Sequence, residues 1–234
     1  MEDITFSDLR VMEQAVNYRR WIFSKIEPFL GKTILEVGGG IGNYTVMYPV
    51  SSSVVTVEPH PDCAAYLRKQ FNGTGRVAVS QTDLDGYQSG ALFESIVCLN
   101  VLEHIGDDLA AIKKMASLLL PGGKLLLLLP AGPALFGSID HALQHVRRYD
   151  SRQAQRLIES SGLRLVCFEH MNMVGYFGWF INARLLKKSH QSTAQVVFYD
   201  RVIVPLLRKL ESALPPPFGQ SIFILAEAPH SKRL

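Results

Sequence analysis

The stretch Ile34-Leu-Glu-Val-Gly-Gly-Gly-Ile-Gly-Asn-Tyr44 constrains this chain most: an apolar strand runs straight into Gly38, Gly40 and Gly42. Glycine is required where the backbone takes positive φ, or where a ligand approaches so closely that any Cβ would collide. Such a turn belongs at the carboxyl end of a buried strand. Further short apolar runs occur at Val54–Val57, Arg76–Val79, Ser95–Leu99, Lys124–Leu129 and Ser221–Ala226. The first four read as buried parallel strands, the last as a closing strand. Helical stretches lie between them: Asn43–Tyr48, Pro61–Phe71, Gly106–Leu120 stopped by Pro121-Gly-Gly123, and Ser151–Ser160 stopped by Gly162. Alternation of strand and helix predicts an α/β fold, a mostly parallel sheet with helices on both faces.

With 234 residues, 47% of them apolar and 19% charged, one sizeable domain is expected. It divides into an N-terminal helical lid (1–30), a ligand-binding core (31–170), a helical cap insertion (171–216) and a last strand with its tail (217–234). In the cap, a helix from about Ala194 to Leu214 is expected to kink at Pro205. The net charge of +3 is too small to imply a nucleic-acid partner, and no basic stripe with interleaved aromatics is present. Its distribution is uneven. Residues 1–140 carry 11 basic and 15 acidic side chains, whereas 141–234 carry 13 and 6, so any anionic partner belongs to the C-terminal part. Cys63, Cys98 and Cys167 are scattered and suggest neither disulfides nor a zinc site. The longest charge-free stretches, Leu125–Ile139 and Ser212–Ala226, are 15 residues each, short of the roughly 20 that span a bilayer. With an acidic N-terminus that lacks a signal-peptide pattern, the expectation is a cytoplasmic protein, with peripheral membrane contact left open.

Spacing narrows the class of ligand. A dinucleotide fingerprint needs Gly-x-Gly-x-x-Gly, but Asn43 or Thr45 occupies the third glycine position. Gly31-Lys32-Thr33 precedes the strand instead of following it, which disfavours a nucleotide-triphosphate loop. Glu36, two residues before the first glycine, would repel phosphate and suits a cationic or hydrogen-donating ligand group. Glu58 ends the second strand 20 residues after Gly38, where an acid accepts from ribose hydroxyls, and Asp83 follows the third.

This constellation resembles the class I S-adenosylmethionine-dependent methyltransferases, over roughly residues 15–170 plus the last strand. The resemblance implies a Rossmann-like seven-stranded sheet and S-adenosyl-L-methionine as cofactor. It implies that Glu36, Gly38, Gly39, Gly40, Gly42 and Asn43 wrap the methionine part, that Glu58 with Pro59 holds the ribose, and that Asp83 with Leu84 reads the adenine. Asn100-Val101, opening the stretch Asn100–Ile105, resembles the segment whose backbone lies beside the cofactor, and Tyr18 a residue of the helix that closes over the methionine end.

In an open α/β sheet the acceptor sits beyond the carboxyl ends of the strands. After the fifth strand come Asp140, His141, His145, Arg147, Arg148 and Tyr149. The His-x-Arg-Arg-Tyr pattern resembles a subgroup associated with glycan and secondary-metabolite acceptors. His145 is the expected catalytic base, with Asp140, His141, Arg148 and Tyr149 contacting substrate, although pairing of Arg148 with Asp140 is an equal alternative. His104 is expected to orient its loop. His141 and His145 stand four apart but lack a further ligand, so no metal is expected. Tyr176, Phe177, Trp179 and Phe180 give the cap a surface for an apolar pocket, a membrane interface rimmed by Arg184, Lys187 and Lys188, or a homodimer contact. The leading reading is methyl transfer to a small natural-product, sugar or glycolipid acceptor. An NAD-dependent oxidoreductase and a non-catalytic cofactor-binding partner in a biosynthetic complex remain as alternatives.

Overall fold

A computed structural model of the chain describes residues 4–230; residues 1–3 of the expected lid and 231–234 of the expected tail lie outside them. The chain opens with α1 (Ile4–Glu13) and α2 (Val16–Ile26), then enters β1 (Thr33–Val37) and β2 (Ser53–Val57). It continues through α3 (Pro61–Gln70), β3 (Val77–Ser80), β4 (Phe93–Leu99), α4 (Asp108–Ser117) and β5 (Leu119–Pro130). The remaining elements are α5 (Ser138–Ala142), α6 (Ser151–Ser160), β6 (Arg164–Met171), α7 (Met173–Trp179), α8 (Thr193–Phe198), α9 (Val204–Ala213) and β7 (Ser221–Glu227).

The seven strands lie in the order β3-β2-β1-β4-β5-β7-β6. Pairings from β3 to β5 are parallel, and β7 runs antiparallel to both β5 and β6. Side chains alternate across the sheet, so each strand feeds two cores. Leu35, Ile96, Leu125, Leu127 and Ile224 pack with Ile112 and Met115 of α4 and Ile158 of α6. Their neighbours Ile34, Val97, Leu126, Leu128 and Phe223 pack with Trp21 and Ile22 of α2 and with Val204 and Leu207 of α9. The Rossmann-like sheet with helices on both faces is therefore the observed fold.

Three expectations change. The stretch Asn43–Tyr48 forms only a short 3₁₀ turn, Thr45–Met47. β-Branched Thr45 and Val46 sit just before Pro49, and Thr45 spends its hydroxyl on Glu36. Arg164–Met171 is a strand that spacing alone did not single out. The helix expected from Ala194 to Leu214 runs without interruption from Thr193 to Ala213, but as α8, a π-helical stretch at Tyr199–Ile203, and α9 with Pro205 in its first turn. Proline lacks the N–H for the helical bond and its ring clashes with the carbonyl four residues earlier; the wider turn makes room for it.

After β3 the chain returns to the opposite side of β1, so strand order reverses between β1 and β4. In open α/β sheets the crevice beyond such a switch point is where ligands bind.

Candidate active site

Two loops border this crevice. The glycine turn leaves β1 with Gly38, Gly40 and Gly42 all at positive φ. A Cβ at Gly38 would overlap a methyl of Val101, which places the loop after β4 directly against the turn. Glu58 is buried at the tip of β2 and accepts from the Gly40 N–H at 2.6 Å and the His60 N–H at 2.9 Å. Burial raises its carboxyl above the usual range. From above, Leu9 of α1 packs against Gly40, Asn43 donates to the Leu9 carbonyl, and Arg19 of α2 donates to the Asn43 carbonyl.

Glu36 is held beneath the turn by two hydroxyls. Its two oxygens accept from the Thr45 hydroxyl at 2.6 Å and the Tyr48 hydroxyl at 2.9 Å, wholly inside the protein. Burial pushes its carboxyl up to about 7. Glu36 thus shapes the turn from beneath. Asp83 is exposed and accepts from the Gly86 N–H at 2.7 Å, while Leu84 beside it is buried. Tyr18 lies with its hydroxyl 3.5 Å from Ser221 Oγ, at the start of β7 and hence beside the carboxyl end of β5.

The loop after β5 folds back onto the loop after β4. The Val146 N–H donates to the Glu103 carbonyl, the Tyr149 hydroxyl lies 3.3 Å from the Leu102 carbonyl, and Arg147 pairs with Asp108 at 2.7 Å. At its centre Asp140, fully buried, is bound at 2.9 Å by His145 Nδ1, at 2.7 Å by Arg148 Nε, at 3.2 Å by Trp179 Nε1 and at 3.0 Å by the Gly137 N–H. Burial alone would raise the Asp140 carboxyl, but these donors and the Arg148 charge hold it below the usual carboxylate range. The Arg148 guanidinium also stacks on Trp179, 4.5 Å from the ring centre.

Three of the expected substrate residues, Asp140, Arg148 and Tyr149, are buried, their polar groups engaged by one another, by Trp179 or by the neighbouring loop. For Arg148 the structure selects the alternative of pairing with Asp140. His141 does not join His145; its ring meets Phe136 edge-to-face, and it lines a cleft of about 570 Å³ with Phe180, Arg184 and Lys187. His145 instead meets His104, edge-to-face at 4.7 Å between ring centres, and Glu103, 3.9 Å from its Nε2. The Glu103-His104 pair in the loop after β4 was the unused signal: two adjacent ligand-type residues following a buried strand. The sequence could not show which later histidine would meet them.

The donor set suits an adenosyl sulfonium amino acid. The positive-φ turn leaves room for close backbone approach, and the Glu58 carboxylate at the neighbouring strand tip is an acceptor for hydroxyl donors.

Residues 13–168 match the family described as a methyltransferase domain. The ubiquinone biosynthesis O-methyltransferase of Xanthomonas axonopodis pv. citri (strain 306) is 32% identical over 135 residues, 55% of this chain and 55% of that protein. A second of that name from Vibrio vulnificus (strain YJ016) is 29% identical over 107 residues, 44% of this chain and 46% of that protein. The chain thus spans about half the length of the curated relatives it matches. Among solved structures, the YcgJ protein of Bacillus subtilis superposes with a TM-score of 0.62 at 13% identity, covering 91% of this chain and 99% of that one. The N-methyltransferase NodS of Bradyrhizobium japonicum WM9, in complex with S-adenosyl-L-homocysteine, gives 0.53 at 16%, covering 97% and 90%. With that family match over most of its sheet and the glycine turn at the β1/β4 switch point, this chain belongs to the class I S-adenosylmethionine-dependent methyltransferases.

Proposed function

We propose that this protein methylates a hydroxyl oxygen of a small acceptor with substantial apolar character. The observation that carries the reading is the Asp140–His145 pair: the carboxylate fixes Nδ1, so Nε2 faces the loop after β4, beside the cofactor turn. S-Adenosyl-L-methionine, when bound, supplies a methyl group on a sulfonium, and the protein's work is alignment, exclusion of water and handling of the acceptor's proton. Gly38, Gly39, Gly40, Gly42 and Asn43 are assigned to the methionine end, Glu58 and Pro59 to the ribose, Asp83 and Leu84 to the adenine, and Asn100, Val101 and Tyr18 to the neighbourhood of the methyl. Residues 1–30 act as a lid, which the Leu9, Asn43 and Arg19 contacts support. His141 is retained as an acceptor contact because it lines an open cleft. The relatives named for O-methylation in ubiquinone biosynthesis support a hydroxyl acceptor of apolar character.

The C-terminal insertion supports delivery of such an acceptor from an anionic lipid surface. Phe198, Val202, Leu206, Leu210 and Leu214 are exposed at four-residue steps. Between residues 173 and 220 both acids, Asp200 and Glu211, are buried, whereas Arg201, Arg208 and Lys209 beside the stripe are exposed. An apolar stripe flanked by cations alone is the pattern of a helix lying on acidic headgroups. Among the described residues no helix is long and apolar enough to cross a membrane.

Calorimetry with S-adenosyl-L-methionine, S-adenosyl-L-homocysteine and NAD, followed by turnover of hydroxylated aromatic and sugar acceptors, tests the assignment. The expected result is micromolar binding of the first two, with transfer lost in His145→Ala at unchanged cofactor affinity. Binding of NAD alone would overturn it in favour of an oxidoreductase, and cofactor binding with no turnover on any acceptor in favour of a non-catalytic partner.

A further inference from the structure

Glu103 is 0% exposed, yet neither of its carboxylate oxygens has a hydrogen-bond partner among the described residues. His145 Nε2 stands 3.9 Å from its Oε1, too far for a hydrogen bond. An unpaired buried carboxylate is costly, and proteins place one where a cation completes it. The surroundings point at the same spot. One ligand atom each of Glu103, His104 and His145 lies within 4.8 Å of the other two. The Asp140 carboxylate occupies His145 Nδ1 and leaves Nε2 for the cluster. His104 is exposed, so the cluster opens to solvent on one side. Asn100 and Gln144, on the two loops that carry these residues, both hold a left-handed backbone, φ 52° and 60°. Such conformations persist where the surrounding structure over-determines them, often at binding sites.

We propose that Glu103, His104 and His145 bind one divalent cation, Zn²⁺ being the best match, with an open coordination position that takes the acceptor's hydroxyl oxygen. Two imidazoles and a carboxylate with a vacant position are a zinc-type set, whereas Mg²⁺ prefers oxygen ligands in a rigid octahedron. Asp140, itself braced by Arg148, supplies the outer carboxylate that fixes a ligating histidine. The catalytic part of the proposal rests on the hydroxyl-methylation reading. On coordination the hydroxyl proton leaves to bulk water through the side that His104 opens. The oxygen then forms its bond to the methyl carbon while the carbon–sulfur bond breaks, its electron pair remaining on sulfur. Under this assignment His145 is a ligand and Asp140 a positioning residue, so the metal role and the base role of His145 are alternatives that experiment separates.

The test uses the full chain freed of metal by a chelator. Titration with Co²⁺ alone, followed by its visible absorption, and with Zn²⁺ alone by calorimetry, is expected to saturate at one ion per chain. His104→Ala, at an exposed position, and Glu103→Gln should each weaken binding at least tenfold, while His190→Ala, remote in sequence and exposed, should not. Circular dichroism checks that each variant is folded. No saturable binding, or affinity unchanged in folded His104→Ala, would overturn the site. If transfer persists in metal-free protein and depends on pH through His145, the metal assignment falls and the methyl-transfer reading stands. Failure of S-adenosyl-L-homocysteine to bind would instead sink that reading, whatever the metal titration gives.

Discussion

At the scale of single residues, Glu36 gives the clearest pH signature. Burial raises its carboxyl to about 7 from an ordinary 4.5 and Glu58 repels its charge, while the Thr45 and Tyr48 hydroxyls that donate to it offset part of the rise. Between those values the folded protein keeps a proton that the unfolded chain has lost, so this group's contribution to stability falls as pH rises from about 4.5 to about 7. Thermal unfolding of wild type and Glu36→Gln at pH 5 and pH 8 should show the wild type losing on the order of 2–3 kcal/mol relative to the variant. Parallel pH responses would show that Glu36 does not titrate there. Gly38 carries a steric prediction. Gly38→Ala forces a side chain into left-handed backbone and onto Val101, and should cost about 1–2 kcal/mol from the backbone alone, plus the overlap. Adding Val101→Ala should recover only the overlap, and a double-mutant cycle in urea measures that coupling. The glycine turn was legible because glycine spacing reports backbone needs directly. The partners of Glu36 were not, since hydroxyls at Thr45 and Tyr48 look like any surface hydroxyls until the turn closes over them.

At the scale of elements, the π-interrupted helix near the C-terminus shows how one residue redirects a face. In a pure α-helix a four-residue spacing drifts around the axis. The π-helical stretch at Tyr199–Ile203 has wider turns and brings Phe198, Val202 and Leu206 back toward one side. Replacing Phe198, Leu206 and Leu210 together by Ser should leave the melting temperature within a few degrees, since these side chains are exposed. Co-sedimentation with phosphatidylglycerol vesicles should fall at least tenfold, and raised salt should weaken the wild-type binding. A concentration-dependent dimer without vesicle binding would assign the stripe to a second copy instead. Pro205 marked an irregularity in this helix, but its form, a π-helical stretch in an unbroken helix, was decided by how the chain accommodates a missing N–H.

At the scale of the whole molecule, distant segments complete one another. Asp200 accepts from the N–H groups of Asn17 at 3.1 Å and Tyr18 at 2.7 Å, capping α2 from 183 residues away, where Ala15 offers no side-chain cap. Glu211 does the same for Asn172 and Met173 at the start of α7. Asp200→Ala leaves those half-buried donors without this acceptor and should cost about 1–3 kcal/mol in urea denaturation, with Asp200→Asn recovering part of it. Full stability in Asp200→Ala would mean that the lid and the insertion are not coupled in this way. The sequence by itself determined the strand–helix alternation, the glycine turn and the acid at the next strand tip, because those signals are local: periodicity, backbone geometry and spacing along one segment. Only the tertiary structure decided that Asp140, Arg148 and Tyr149 turn inward, that Glu103 is buried without a donor, and that His145 meets His104 and not His141. Each of those outcomes depends on loops from different strands arriving at the same point, and burial and pairing are properties of that meeting.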